Sequence, residues 1–297
     1  MAETTNFHVE HLFRLKGYVC LVTGGGTGIG LMATQALSAN GAKVYITGRR
    51  TEVLEKTAAT HHPKEQNAKT DQHGDIVPIG STDVRSKDVL DKLCKEIESK
   101  EGYLSLVVAA AGVPGPKEPQ PDVQDAKEYK KQMWEAESSE EWNETFNSDV
   151  TSVYWTTLAC LPLLQAAPKD HLSSVIVISS MSGMMRDSQS RFAYNAAKAA
   201  TAHLTKMMSK EFAKFGVRIN SIAPGYFPSE MTMKQSDDRN KTDMPDEKVK
   251  EKEHPVPAQR SGTDEEMGMA VIFLSKCAYV NGHILPVDGG VLNEVGQ

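Results

Sequence analysis

The sequence of 297 residues predicts an α/β protein of the doubly wound kind: one domain on a seven-stranded parallel sheet with helices on both faces. Two observations carry this expectation. Seven short apolar, β-branched runs recur along the chain: YVCLVT (18–23), KVYIT (43–47), DIVPIG (75–80), LSLVVAA (104–110), SVIVIS (174–179), VRINSI (217–222) and HILPV (283–287). Stretches of helical periodicity separate them, at roughly 28–40, 50–60, 86–99, 139–167, 190–215 and 263–276. Runs that stay apolar without alternating suit strands covered on both faces, and the helices between them supply the crossovers that parallel strands need.

Composition narrows the function classes. At 39% hydrophobic residues the chain buries a sizeable core, and a net charge of -6 without any Lys/Arg cluster argues against nucleic acid or an acidic membrane as partner. Cys20, Cys94, Cys160 and Cys277 lack CxxC spacing and sit in apolar segments, as reduced core thiols do, so no metal is expected. MAETTNFHVEHLFRLKG is too polar and acidic for a leader, and no apolar run reaches the ~18 residues of a membrane span, which suggests a soluble cytoplasmic protein. Three polar stretches interrupt the strand–helix rhythm. Residues 60–75 suit an exposed loop with solvated histidines, and 114–139, Pro-rich and then charged, suit an insertion. The longest charged stretch, 235–255, follows a Pro-Gly turn beyond a strand end; with its flanks, about 226–262, it suits a mobile lid over a substrate.

The glycine-rich TGGGTGIG (23–30) lies between the first strand and the first helix, where bare backbone N–H groups and a helix N-terminus accommodate a pyrophosphate. This placement predicts a Rossmann-type dinucleotide site. The second strand ends in Gly48-Arg49-Arg50, where an NAD site usually offers an acid to the ribose 2′-hydroxyl. A guanidinium there pairs with a 2′-phosphate, so NADP(H) is favoured over NAD(H). Asp83, past the third strand, is placed to meet adenine, and Ala111-Gly112, past the fourth, permit close approach to the ribose.

Tyr194 and Lys198 are four apart in a helix pattern and project on one face. A phenol of pKa ~10 handles protons poorly at neutral pH unless a cation stabilises its phenolate, and Lys198 is in position to do so. Ser179, Ser180 and Ser182 cluster at the end of the fifth strand, where active-site groups of open sheets collect. No GxSxG elbow accompanies them, so a hydrolase is the weaker reading. Asp149 stands out differently. At 100° per residue it falls inside the apolar stripe of Trp142, Phe146, Val153, Cys160 and Leu164, where packing favours a leucine.

Taken together, TGGGTGIG, STDV, AAAG, ISSMSG, YNAAK, NSIAPG and VDGG resemble the short-chain dehydrogenase/reductase family in order and over nearly the whole chain, about 17–290. FHVEHLFRLKG, GRR and PGYFPSEMT look most like fungal members described as similar to 3-oxoacyl-carrier-protein reductases. The resemblance implies a proton donor in Tyr194, a carbonyl-orienting hydroxyl in Ser180 with Ser182 as its competitor, and a ribose-binding Lys198. It also implies Gly24, Thr27, Gly28, Ile29 and Gly30 around the pyrophosphate, Arg49 at the ribose, Asp83-Val84 at adenine, and Pro224, Gly225, Phe227 and Ser229 around the nicotinamide.

The implied activity is interconversion of a ketone and an alcohol on an apolar small molecule, Met184, Met185, Phe227, Met231 and Met233 bordering the crevice. The implied assembly is a homodimer or homotetramer through the helices at 139–167 and 190–215. Two departures stand out. AAAG (109–112) replaces the family's NNAG, predicting looser bracing of cofactor and central strand, and Asp149 stands where the family has Asn. Asn147 is the other candidate for that role, but it lies roughly 160° around the helix from Asp149. These departures keep open a non-catalytic dinucleotide-binding redox sensor.

Overall fold

A computed structural model describes residues 5–63, 74–251 and 256–295. The first half of the chain contains α1 (Val9–Phe13), β1 (Val19–Thr23), α2 (Gly28–Ala39), β2 (Lys43–Gly48), α3 (Thr51–Thr60), β3 (Asp75–Ser81), α4 (Lys87–Glu101) and β4 (Leu106–Ala109). Then come α5 (Ala126–Trp134) and α6 (Ser139–Phe146), a π turn (Asn147–Thr151) and α7 (Ser152–Gln165). The remainder holds β5 (Ser174–Ile178), α8 (Phe192–Glu211), β6 (Arg218–Pro224), α9 (Glu230–Met233), α10 (Asp246–Lys250), α11 (Asp264–Lys276), β7 (Ile284–Val287) and α12 (Val291–Val295).

The strands form one sheet in the order β3-β2-β1-β4-β5-β6-β7, every pairing parallel. The order reverses between β1 and β4, so the carboxyl ends of these strands splay around a crevice, the usual ligand position of an open sheet. Side chains alternate faces along each strand, which explains the unbroken apolar runs. Val22, Val44, Val108 and Ile176 meet Met32 and Leu37 of α2 and Val271 and Leu274 of α11 on one side. Leu21, Tyr45, Val107 and Val175 meet Leu90 and Ile97 of α4, Cys160 and Leu164 of α7 and Met208 of α8 on the other.

Several elements differ from the sequence expectation. The helix expected over 139–167 is interrupted by the π turn, a local widening that carries Asp149. The insertion at 114–139 contains α5, capped by the Asp125 carboxylate, which accepts from the N–H groups of Lys127 and Glu128. Residues 64–73 of the loop expected at 60–75 lie outside the described residues. Its His61 is not solvated: the ring is buried, bonding the Arg239 carbonyl at 2.6 Å and Gln35 at 3.1 Å, and burial lowers its pKa. His62 pairs with Asp75 at 3.0 Å, an acid from the end of the same loop.

Cys20, Cys94 and Cys160 are buried thiols and Cys277 is half-buried, none in a disulfide. Among the described residues no helix is long and apolar enough to cross a membrane, and no three His, Cys, Asp or Glu side chains gather as metal ligands.

Arg218, at the start of β6, ties the sheet to α11. Its guanidinium is buried and donates to five carbonyls, those of Leu172, Leu274, Ser275, Cys277 and Val280, at 3.0–3.1 Å. It therefore caps the carboxyl end of α11 from inside the protein. Arg218→Met is expected to lower the unfolding free energy in urea by about 3–5 kcal/mol, since the carbonyls lose their donors. Arg218→Lys should recover less than half, because an ammonium cannot reproduce the planar fork.

Candidate active site

The nucleotide end is built on backbone. Gly24 and Gly28 adopt the left-handed region, with φ of 68° and 52°. A Cβ at Gly30 would lie 2.1 Å from the Gly24 carbonyl oxygen, so only glycine lets α2 start against the turn. Thr27 precedes α2 in extended conformation without capping it through its side chain, and the N–H groups of Gly28, Ile29 and Gly30 face the crevice end of the helix uncapped. Ile29 packs its side chain against the core behind them. This is a cradle fit for a pyrophosphate.

The end of β4 rests on this turn, for a Cβ on Gly24 would approach the Ala111 backbone to 3.1 Å. The brace that the missing amides of AAAG would have given comes from elsewhere. Thr23 Oγ1 accepts from the N–H groups of both Ala110 and Ala111 at 3.2 Å, and Asp149 Oδ1 accepts from the N–H of Val113 at 3.0 Å. The expected looseness is therefore absent at these positions.

Past the end of β3, Asp83 is gripped by Arg85, with contacts of 2.7–3.1 Å that hold its pKa down to about 2. Oδ1 accepts from the Arg85 N–H and Nε and Oδ2 from Nε and Nη2, so both oxygens are engaged within the chain. Val84 is buried in the core beside it. Arg49 is exposed and makes no ion pair among the described residues, while its carbonyl accepts from the Ser81 hydroxyl. Arg50, also exposed, pairs with Glu230 of α9 at 2.7 Å.

The chemical end lies at the carboxyl ends of β4 and β5. Lys198 is 5% exposed and donates to the Ile178 carbonyl at 3.2 Å. Its ammonium lies 5.5 Å from the Tyr194 ring centroid and 3.8 Å from Asp149 Oδ1. Asp149 is 1% exposed, and its Oδ2 is sealed without a hydrogen-bond partner. Gly112, expected to make room for a cofactor, makes room for this pair: a Cβ there would sit 2.5 Å from Asp149 Oδ1 and 3.5 Å from Lys198 Nζ. Asn147 points outward, exposed, as its angular position required.

Burial pushes the Asp149 carboxyl up from its ordinary range, against the Lys198 charge and the Val113 N–H. For Lys198, burial acts to lower the pKa, but Asp149 and Tyr194 together outweigh it and raise it. Asp149 thus strengthens the hold of the buried ammonium on its proton.

Ser180 is buried and extended at the end of β5, its Oγ accepting from the Ser182 N–H at 3.1 Å. This use leaves its own proton to donate. The Ser182 hydroxyl instead donates to Gln189 Oε1 at 3.0 Å, and Gln189 Nε2 donates to the Tyr226 hydroxyl at 3.1 Å. Gln189 and Ser190, just before α8, both have positive φ, 51° and 56°, a strained approach to the helix that carries Tyr194.

Beyond β6, Pro224 and Gly225 lie close against Asp288, where a Cβ on Gly225 would come within 2.6 Å of its Cα. Phe227 does not border the crevice: its ring is buried in the core, stacked where a Cβ on Gly262 would meet it at 2.3 Å. It anchors the segment that follows. Ser229 caps α9 and lies beside Gly28, its Cβ 2.9 Å from where a side chain on that glycine would begin. Met231 brings its sulfur to 3.9 Å from the Tyr194 hydroxyl. Met184, Met185 and Met233 pack on a small cluster formed by Met181, Met244, Val249 and Val256. Thr23, Gln189, Tyr226 and Glu230 are the polar groups that sequence reasoning missed, and only Thr23, inside the glycine motif, carried a signal.

A profile described as short chain dehydrogenase matches residues 18–240. The chain belongs to the short-chain dehydrogenase family. It is 36% identical over 300 residues to the short-chain dehydrogenase/reductase PhomF of Diaporthe leptostromiformis, covering 98% of this chain and 96% of the relative. It is 30% identical over 285 residues to the rhamnolipids biosynthesis 3-oxoacyl-acyl-carrier-protein reductase of Pseudomonas aeruginosa, 94% of this chain and 97% of the other. The solved Pseudomonas aeruginosa RhlG/NADP active-site complex superposes with a TM-score of 0.73 at 28% identity, covering 94% of this chain and 98% of that one. A short-chain dehydrogenase is an oxidoreductase of CH–OH and C=O groups.

In this dehydrogenase the negative charge of Asp149 neutralises part of the Lys198 cation that faces Tyr194. Removing it makes the phenolate form easier to reach at lower pH. Asp149→Asn is expected to shift the pH–rate profile for alcohol oxidation down by up to about one unit. A profile superimposable on that of the wild type would show that the carboxylate is not coupled to the proton-transferring group.

Proposed function

We propose that the chain is an NADP(H)-dependent carbonyl reductase, reversible as an alcohol dehydrogenase, acting on an apolar small molecule. The observation that carries this reading is the buried Lys198 ammonium under the Tyr194 ring, with Ser180 at the adjoining strand end. Gly24, Thr27, Gly28, Ile29 and Gly30 would hold the pyrophosphate, Asp83 and Val84 the adenine, and Pro224, Gly225 and Ser229 the nicotinamide. The cofactor, when bound, supplies or accepts the hydride.

Tyr194 gives its proton to the carbonyl oxygen in reduction and takes it back in oxidation. Ser180 donates a hydrogen bond to the same oxygen, consistent with its uncommitted proton. Lys198 offers a fixed positive charge, oriented by Asp149 and the Ile178 carbonyl. Met231, beside the Tyr194 hydroxyl, favours an apolar group next to the reacting carbon. Segment 226–262 acts as the lid, its base fixed by Phe227. Arg49 and Arg50 and the lack of an acid at the end of β2 support NADP(H) over NAD(H). Exposed Tyr154 and Leu158 on α7 and Phe192 and Met207 on α8 support a homodimer or homotetramer.

The test is NADPH absorbance against a panel of apolar ketones. Tyr194→Phe is expected to lose at least about 100-fold in kcat/KM while keeping its affinity for NADPH. Cofactor binding without turnover of any ketone, and without any effect of Tyr194→Phe on function, would favour the redox sensor instead. Among the serines, Ser180→Ala should cost about 100-fold and Ser182→Ala under about 10-fold. Equal losses would remove the distinction drawn between their protons.

A further inference from the structure

The second arginine after β2 is held by an acid that comes from the lid. Arg50 Nη2 donates to Glu230 Oε2 at 2.7 Å, and Nη1 lies 3.4 Å from Oε1. The Ser236 hydroxyl donates to Oε1 at 2.9 Å, so the carboxylate is fixed from its own segment as well. Arg50 lowers the Glu230 pKa, in keeping with an ionised acid. Ser229, one residue earlier, packs at Gly28 of the glycine turn, so Glu230 stands at the ribose end of the dinucleotide cleft.

This pairing is not an accident of two mobile side chains. The segment after α9 is strapped to the helix that begins at Arg50. Asn240 Nδ2 donates to the Val53 carbonyl at 3.1 Å and to Thr57 Oγ1 at 2.9 Å, and the Arg239 carbonyl bonds His61 at 2.6 Å. Lys241 bonds Gln35 of α2 and Asp264 of α11. The lid thus carries Glu230 to the amino end of α3 on a framework anchored along α3 itself.

The geometry points to Glu230 as a determinant of cofactor specificity, supplying from the lid the acid that the end of β2 lacks. Resting on the dinucleotide reading above, the inference reverses part of its NADP preference. A 2′-phosphate has to displace Glu230 from Arg50 and meets its negative charge, whereas a 2′-hydroxyl donates to the same carboxylate without displacing it. The chain therefore discriminates between the two cofactors less than Arg49 and Arg50 alone would make it.

Calorimetric titration of the wild type, Glu230→Gln, Arg50→Gln and the double variant with NADP+, NAD+, 2′,5′-ADP and 5′-ADP tests this. Glu230→Gln is expected to bind 2′,5′-ADP and NADP+ about 3- to 10-fold tighter, the scale of one half-exposed charge pair, with no tightening of 5′-ADP or NAD+. In the Arg50→Gln background, adding Glu230→Gln should give a smaller gain. A wild type that prefers NADP+ while Glu230→Gln binds it no tighter overturns this inference and leaves the NADP(H) reading standing. If both proteins bind NAD+ as well as NADP+, both fall. Unchanged melting temperatures of the variants without ligand guard against a folding artefact.

Discussion

A lysine ammonium held out of water at the ends of β4 and β5 is the constraint around which the rest of the site is arranged. Burying an ammonium costs several kcal/mol unless its charge is matched, and the fold brings an acid to it. Asp149 is that acid, 3.8 Å away. The π turn carries it, buried, between two regular helices. Room for it requires glycine at 112, since any side chain there would strike Asp149 Oδ1. The carboxylate in turn pins the loop after β4 through the Val113 N–H, and its main-chain carbonyl accepts from Thr201 of α8 at 2.7 Å. One charge thereby joins β4, the π turn and the helix that carries Tyr194.

The sheet provides the geometry for this and for the cofactor end at once. Because the strand order reverses between β1 and β4, the glycine turn after β1 and the loops after β4 and β5 open into one crevice. The two ends of the crevice differ in the materials they use. The pyrophosphate cradle is uncapped backbone, rigid and indifferent to side-chain change. Near the ends of β2 and β3 stand charged, exposed or half-buried side chains instead, Arg49, Arg50, Asp83, Arg85 and Glu230, whose balance a single substitution alters. The Lys198–Asp149 pair is thus buried and tightly coupled, whereas these charges sit where coupling is weak.

Strands and their order of appearance were legible in the sequence because buried parallel strands are apolar on both faces and the helices between them are periodic. The Tyr194–Lys198 pair was legible for the same reason, as one helical face fixes the spacing. Asp149 was legible as an anomaly, an acid in an apolar stripe, and the family resemblance linked it to Lys198 through water; the direct 3.8 Å pairing was not legible, because contact between residues 149 and 198 depends on how two helices pack. The π turn was invisible: periodicity assumes a regular helix and carries no term for one extra residue. Phe227 misled because a large apolar residue beside a crevice pattern has two ways to be satisfied, and here it turned into the core against Gly262. The strap from 229 to 241 onto α3 was beyond reach, since its bonds join residues about 180 apart through polar groups with no shared pattern.

Position 149 also bears on why AAAG is tolerated, because its side chain offers an acceptor to the loop after β4. Here Asp149 accepts from Val113 while Thr23 accepts from Ala110 and Ala111, so the loop is braced from both sides by acceptors on neighbouring elements. Alanines then suffice, and their small size leaves the approach to the glycine turn open. The Asp149 side chain serves twice, as the charge beside Lys198 and as an acceptor for the loop after β4. Restoring the amide at 149 alone would return the acceptor without the charge, separating the bracing role from the electrostatic one.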